Sequence, residues 1–167
     1  AKHFAVHSGP EDERHSFNAI ASKKDMRETY LPAFKACVKD ADVEIVMGAY
    51  NRTNGEPCCG SKTLLKDILR DEWGFKGHVT SDCWAIKDFH EYHMVTSGPE
   101  ESAALAMNNG CDLNCGNING NLIKANKDGL ISEDTITKSV ARLMRTRMKL
   151  GLFDDQSKVP YSKIGFD

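Results

Sequence analysis

Short apolar runs alternate with amphipathic segments along this chain, which is the pattern of repeated βα units. The runs are mostly apolar or β-branched, as expected for strands that are buried on both faces. They predict strands at residues 2–6, 43–50, 78–81 and 110–113. Consecutive units of this kind form a parallel sheet with right-handed crossovers.

Helical spacing and capping residues define the segments between these strands. Ser61 is placed to cap a helix over residues 62–73, and Gly74 to end it. Leucine and isoleucine side chains within that segment recur on one helical face. The other predicted helices cover residues 31–40, 100–109, 121–127 and 133–150.

The last predicted helix has the clearest pattern. Ser132 is its N-cap, Gly151 supplies its C-terminal stop, and basic residues gather in its final turns, where they favour the helix dipole. We interpret those basic residues as a solvated face rather than a phosphate site. The apolar stripe that we expect to be buried in the core consists of Ile136, Val140, Leu143, Met144 and Leu150.

Four βα units make half of a (β/α)8 barrel, which needs about 250 residues when complete. The 167 residues of this chain therefore form either a small open sheet or the second half of a larger barrel, and a start inside a strand-like run without Met favours the barrel. We predict an α/β fold of parallel βα units, the second half of a TIM-type barrel, over residues 1–152. Residues 153–167 are then an exit segment towards an interdomain linker.

Composition narrows the range of partners. A net charge of −2 argues against nucleic acid, and no apolar run approaches the ~20 residues needed to cross a membrane. The first residues lack the hydrophobic region of a signal peptide, so any export signal would lie upstream. We interpret the six cysteines as buried thiols or one disulfide, with a metal site at Cys58, Cys59, Cys111 and Cys115 as the lesser alternative.

Asp82 is the most suggestive candidate for chemistry. It follows the strand predicted at residues 78–81 and precedes Cys83 and Trp84. Loops at the C-terminal ends of barrel strands converge on the ligand, so a carboxylate at that point is a candidate catalytic group. A helix N-cap or a solvated turn is the alternative.

Several motifs, in order along the chain, carry a family resemblance. Together they resemble glycoside hydrolase family 3, most closely its β-glucosidase and β-xylosidase group. The motifs are Lys2-His3-Phe4-Ala5-Val6-His7-Ser8-Gly9-Pro10-Glu11, Arg14-His15-Ser16-Phe17-Asn18-Ala19, Met26-Arg27-Glu28-Thr29-Tyr30-Leu31-Pro32-Ala33-Phe34, Val46-Met47-Gly48-Ala49-Tyr50-Asn51, Leu69-Arg70-Asp71-Glu72-Trp73-Gly74-Phe75 and Ser81-Asp82-Cys83.

The resemblance implies a retaining, exo-acting β-glycosidase that releases terminal glucosyl or xylosyl residues from an oligosaccharide or aryl β-glycoside, with no cofactor. Asp82 matches the family's nucleophile, and Lys2 and His3 match a pair that binds the sugar. Tyr50 matches a tyrosine near the nucleophile, and we expect Met47 to line the pocket wall.

Trp84 departs from the small residue expected after Ser-Asp-Cys in the relatives. Its indole either stacks on a sugar ring in the leaving-group subsite or covers a hydrophobic edge. Structural use of Arg14 and His15, in the loop after the first strand, is favoured over contact with substrate.

The resemblance also implies that other parts of a larger protein complete the site. We expect an N-terminal half barrel and a C-terminal domain, with the general acid/base beyond this chain, although Glu11, Asp12 and Glu13 stay open as candidates. The resemblance suggests a periplasmic or secreted location. We expect the isolated 167 residues to be inactive, with exposed sheet edges that favour homo-oligomers. The alternative function is a βα fragment without catalysis, serving as a structural or carbohydrate-binding module.

Overall fold

A parallel sheet forms the centre of the computed structural model, which describes residues 1–165. Strands β2 (Ile45–Gly48) and β5 (His78–Ser81) pair in parallel along their whole length. Phe4 adds one parallel bridge beside β2, and Leu113 adds one beside β5. The four predicted strands thus lie side by side in chain order, although the first and last are reduced to a single bridge each.

The helices follow the predicted order, and the five predicted segments are helical with bounds that agree to within one residue. One differs in type, because the Lys62–Glu72 segment is a π-helix. Its buried residues are Leu64, Leu65, Ile68 and Leu69. The helices are α1 (Lys23–Asp25), the π-helix Met26–Tyr30, α2 (Pro32–Lys39), the π-helix Lys62–Glu72, α3 (Asp88–Glu91), α4 (Pro99–Asn108), α5 (Leu122–Lys127) and α6 (Glu133–Lys149). Short 3₁₀ turns lie at Glu11–Glu13, Cys58–Gly60, Ile118–Asn121 and Gln156–Lys158.

The hydrophobic core lies between this sheet and its helices. Val46 and Val79 are fully covered, and the Phe4 ring packs edge-on against Phe34 with centroids 5.0 Å apart. Alternation along the strands puts Ile45 and Leu113 on the opposite face, where both stay more than a third exposed. One face of the sheet therefore carries the core, and the other is exposed at Ile45 and Leu113 while His78 and Thr80 on it are buried.

Asp112 is a buried carboxylate that joins the sheet to two helices. Its oxygens lie 2.7 Å from guanidinium nitrogens of Arg70 and Arg142, and they accept hydrogen bonds from Ser139 Oγ and the Val79 backbone N–H at 3.0 and 2.9 Å. The side chain of Asp112 has no solvent exposure. These contacts fix α6 and the π-helix Lys62–Glu72 against β5, the strand that precedes Asp82.

The apolar stripe predicted as core on α6 is wrong at Val140 and Leu150 and only half-buried at Ile136, Leu143 and Met144. Val140 and Leu150 are 45% and 63% exposed, whereas Ser139 and Thr146 are the buried residues of this helix. Thr146 Oγ1 lies 3.0 Å from His78 Nδ1 and donates to Glu44 at 2.7 Å. Polar contacts to Asp112 and His78 set the rotation of α6, and they turn part of the stripe towards solvent.

A second, small sheet was not predicted. Strand β3 (Arg52–Thr53) pairs in parallel with β1 (Asn18–Ala19) and antiparallel with β4 (Glu56–Pro57). Asn54 and Gly55 turn between β3 and β4 with positive φ angles of 50° and 89°. The small sheet ties the loop after Phe4 to the loop after β2.

The predicted exit segment, residues 153–167, contains the turn Gln156–Lys158 and exposed side chains such as Phe153 and Tyr161. Phe166 and Asp167 lie outside the described residues. The division at residue 152 stays a prediction. None of the helices among residues 1–165 is long and apolar enough to cross a membrane.

Candidate active site

Asp82 lies directly after β5, at the C-terminal end of the central sheet. Its backbone N–H donates to Gly48 O at the end of β2 at 3.2 Å, and its Oδ1 accepts the Cys83 N–H at 2.8 Å. The side chain of Asp82 is 15% exposed, so it stays open to a ligand. The hydrogen bond from the Cys83 N–H orients Oδ1, and Oδ2 is the second oxygen of the carboxylate.

His3 contacts that second oxygen. Its Nε2 lies 3.3 Å from Asp82 Oδ2, and its ring stacks on His7 with centroids 5.1 Å apart. Burial lowers the pKa of His3 below its usual value, and the charge of Asp82 only partly opposes that shift. At neutral pH His3 is therefore a largely neutral ring that can donate a hydrogen bond to the carboxylate or to a ligand.

Tyr50 lies at the end of β2, facing the same space. Burial and the nearby Asp82 carboxylate raise the pKa of the Tyr50 hydroxyl above its usual value, so the phenol keeps its proton. The Arg14 guanidinium lies 5.4 Å from the centroid of the Tyr50 ring, within the range of a cation–π contact. A protonated phenol beside a carboxylate is a hydrogen-bond donor positioned for a polar ligand.

These side chains enclose a cavity of about 360 Å³, a volume within the range of small-molecule sites. Its lining combines hydrogen-bonding groups with the apolar faces of the Phe17 and Tyr50 rings. The lining residues are His3, His7, Gly9, Pro10, Glu11, Arg14, Phe17, Ala49, Tyr50, Asn51 and Asp82.

Asp82, His3 and Tyr50 are thus brought together as predicted from the sequence. In the part of the chain that the structure describes, Lys2, Met47 and Trp84 are not among the lining residues. Lys2 is exposed beside His3, and Met47 is half-buried within β2. Trp84 is 51% exposed, with a positive φ of 70°. Their roles in sugar binding stay predictions.

Asn51 is a residue of the cavity to which the sequence reasoning gave no role. It is 3% exposed, and its Nδ2 donates to Val6 O at 2.6 Å and to Arg52 O at 2.7 Å. These bonds join the segment after Phe4 to the link between β2 and β3. Its position was the signal that could have identified Asn51, because it is a polar residue directly after an apolar strand and Tyr50.

A disulfide between Cys83 and Cys115 lies next to Asp82. Cys115 N–H donates to Ser81 Oγ at 3.0 Å, and Trp84 N–H donates to Cys115 O at 2.7 Å. The one-disulfide interpretation of the cysteines therefore matches the structure, and Cys115 is bonded to Cys83. The bond links the loop after Asp82 to the loop after Leu113.

The thiols of Cys58, Cys59 and Cys111 are buried, and Cys59 Sγ donates to the backbone oxygen of the cavity residue Ala49 at 3.3 Å. Burial raises the pKa of Cys58 to about 11. Contact with Cys111, together with burial, raises the pKa of Cys59 well above its usual value. The thiols of Cys58 and Cys59 are thus protonated and unreactive at neutral pH. Within residues 1–165, no three His, Cys, Asp or Glu side chains are grouped as metal ligands.

Comparisons with known proteins indicate the family of this chain. The N-terminal domain of glycosyl hydrolase family 3 matches residues 1–146. A xylan 1,4-β-xylosidase of Xylanibacter ruminicola is 48% identical over 99% of this chain and 20% of its own length. A β-xylosidase/α-L-arabinofuranosidase of Medicago sativa subsp. varia is 41% identical over 92% of the chain and 20% of its own length. The chain spans about a fifth of the length of these relatives.

Solved structures agree as well. A GH3 exo-β-xylosidase in complex with a xylobiose aziridine activity-based probe superimposes with a TM-score of 0.92 at 30% identity, over 98% of this chain and 22% of that one. A β-glucosidase from Listeria innocua in complex with isofagomine gives 0.84 at 30% identity, over 99% and 23%. The predicted α/β fold of parallel βα units from a TIM-type barrel is confirmed. The family match and the superpositions place this chain in glycosyl hydrolase family 3.

Proposed function

We propose that this chain is the part of a retaining, exo-acting β-glycosidase that carries the nucleophile, Asp82. The observation that carries the proposal is the carboxylate of Asp82 at a strand end, 15% exposed, in a cavity that His3 and Tyr50 share. A carboxylate suits this role because it can trap an oxocarbenium-like carbon, and the resulting ester can still be hydrolysed.

In the first step, an Asp82 oxygen bonds to the anomeric carbon while the bond to the leaving oxygen breaks, and a general acid gives that oxygen a proton. In the second step, water attacks the anomeric carbon and gives a proton to the same group, which now acts as general base, while the bond between that carbon and the Asp82 oxygen breaks. The Cys83 N–H and His3 contact the two Asp82 oxygens, so they hold the carboxylate in one orientation through both steps. The Tyr50 hydroxyl is a donor to the sugar or to the carboxylate.

The general acid/base is proposed to come from outside this chain. Among residues 1–165, Glu11 is the other carboxylate that lines the cavity, and its side chain is 79% exposed and paired with Arg14. A retaining enzyme needs its second carboxyl group about 5 Å from the nucleophile, held in a defined geometry. An exposed carboxylate engaged with an arginine does not meet that need, and the resemblance to the long β-glucosidase type supports a donor elsewhere.

Xylosyl substrates are favoured over glucosyl ones. The relatives that match most of this chain include enzymes named xylan 1,4-β-xylosidase and β-xylosidase/α-L-arabinofuranosidase, while solved β-glucosidases share the fold. Glucose carries one additional hydroxymethyl group, and a pocket discriminates such a group by about 10–200-fold. We therefore expect kcat/KM for an aryl β-xyloside to exceed that for the matching β-glucoside at least about tenfold.

The nucleophile is tested by trapping. The full-length protein that carries this chain is treated with a dinitrophenyl 2-deoxy-2-fluoro-β-xyloside, and the labelled peptide is identified by mass spectrometry. We expect the label on Asp82, its loss in Asp82→Asn, and its retention in Asp71→Asn, a matched change at an exposed residue of the π-helix Lys62–Glu72. Attachment to any other residue refutes the assignment.

A further inference from the structure

Asp88 is a buried carboxylate outside the residues that line the cavity. It begins the short helix α3 and is 2% exposed, and its Oδ2 lies 2.7 Å from Nδ1 of His15. Burial raises the pKa of Asp88 to about 6, and the bond from His15 opposes that shift. A carboxylate so buried is costly unless it is paired, and His15 is the pairing group that the structure gives it.

His15 extends this contact to the wall of the cavity. Its ring meets the Tyr50 ring edge to face, with centroids 4.7 Å apart and planes at 64°. The guanidinium of the preceding residue, Arg14, lies over the same Tyr50 ring. Tyr92, just after α3, is 5.7 Å from the His15 ring on a tilted plane. Arg14 and His15, two consecutive residues of the loop after the first strand, thus contact the Tyr50 ring. The bond from His15 to Asp88 attaches them to a buried residue.

We propose that Asp88 is a positioning residue: by holding His15, it fixes the Arg14–His15 segment and the Tyr50 ring beside Asp82. The expected effect on hydrolysis rests on the proposed function. The attachment of the Arg14–His15 segment to Asp88 does not. Asp88 does not touch the cavity, so it acts through His15 and takes no part in bond making.

Small displacements are sufficient for a large effect at such a site. A misplacement of about 1 Å in a group that orients the substrate costs on the order of 100-fold in rate. Tyr50 shares the cavity with Asp82, and its hydroxyl is close enough to that carboxylate for the pKa of Tyr50 to rise. Loss of the His15–Asp88 bond would free the Arg14–His15 segment that packs on the Tyr50 ring.

The kinetic experiment compares three variants of the full-length protein with an aryl β-xyloside as substrate. We expect Asp88→Ala to lower kcat/KM by about 10–100-fold, mainly through kcat, because chemistry at Asp82 is misaligned. We expect Asp88→Asn to recover most of that loss, because its amide oxygen still accepts a hydrogen bond from His15. The control is Glu91→Ala on the same helix, which breaks only the exposed Lys87–Glu91 pair and should leave both constants unchanged.

A second measurement does not depend on activity. Trypsin cuts after Arg14, and mass spectrometry of the released peptide gives the cleavage rate at that bond. We expect Asp88→Ala to accelerate this cleavage at least about fivefold over Glu91→Ala, because local opening of the loop controls access. His15→Ala removes the same contact from the half-exposed side, and it replaces Asp88→Ala if that variant does not fold.

The outcomes separate the two proposals. Unchanged cleavage at Arg14 in both Asp88→Ala and His15→Ala overturns the attachment. Faster cleavage with unchanged kcat/KM overturns the positioning role. A wild-type protein that hydrolyses no β-glycoside overturns the proposed function alone, because cleavage at Arg14 still decides whether Asp88 holds the loop.

Discussion

Replacement of Asp112 by alanine tests how much the contacts of this buried carboxylate, which join α6 to the central sheet, contribute to the free energy of unfolding. The side chain of Asp112 has no exposure, and its oxygens contact two arginines at 2.7 Å, one hydroxyl and one backbone N–H. Removal of one partner from a buried ion pair costs about 3–5 kcal/mol, because the remaining charge is left without compensation. Arg70 is the arginine affected more, since its side chain is 12% exposed against 28% for Arg142.

The assay is equilibrium urea unfolding of wild type and Asp112→Ala. The free energies of unfolding are compared with the same dependence on urea concentration, the m-value, for both proteins. We expect a loss of about 3–5 kcal/mol, and a much smaller loss when Asp112→Leu is combined with Arg70→Met and Arg142→Met, since apolar replacement of a complete buried network is often neutral. Asp67→Ala, which breaks the exposed Lys62–Asp67 pair, is the matched control and should leave the midpoint unchanged. A loss below about 1 kcal/mol in Asp112→Ala would refute the reasoning.

Two further predictions concern pH and the disulfide. Burial lowers the pKa of His93 to about 4, because the folded protein favours the neutral imidazole. The stability that depends on a neutral His93 is therefore present above the usual histidine pKa near 6.5 and is lost as pH falls through about 4. His93→Phe should flatten the pH dependence of the unfolding midpoint in that window, and an unaltered profile contradicts the assignment. The Cys83–Cys115 bond closes a loop with a sequence separation of 32, and Cys83→Ser with Cys115→Ser should cost about 3–4 kcal/mol in urea unfolding. Equal stability of the double variant and wild type would show that the bond does not constrain the unfolded chain.

The main sheet and the helices were predictable because each is specified by local pattern. Residues 78–81 read as a strand from their own side chains, and the structure gives β5 these bounds. Ser61 and Ser132 were recognised as N-caps, and their hydroxyls accept hydrogen bonds from the Leu64 and Thr135 N–H groups. Such signals depend on residues within one or two helical turns of each other. They can therefore be recognised in a single sequence without knowledge of tertiary contacts.

The remaining features depend on contacts between distant segments. The rotation of α6 about its axis is set by its contacts with Asp112 and His78. The pattern of apolar residues within the helix does not indicate these distant partners. The small sheet consists of two-residue strands, too short to give a period-2 pattern.

For the candidate site, Asp82, His3 and Tyr50 came from the strand ends and the resemblance, and they share one cavity. The connection from Asp88 through His15 to Tyr50 had no sequence signal, because it joins side chains more than seventy positions apart.

The small sheet has a consequence for the thermodynamics of ligand binding. It fastens Asn18–Ala19 to Arg52–Thr53, and Asn54 adds side-chain bonds to the backbone of Ala21 at 2.9 and 3.0 Å. The loop that supplies Arg14 and Phe17 to the cavity is therefore ordered before any ligand arrives. A ligand that binds there does not have to offset the conformational entropy of ordering that loop, so its contact energy is available as affinity.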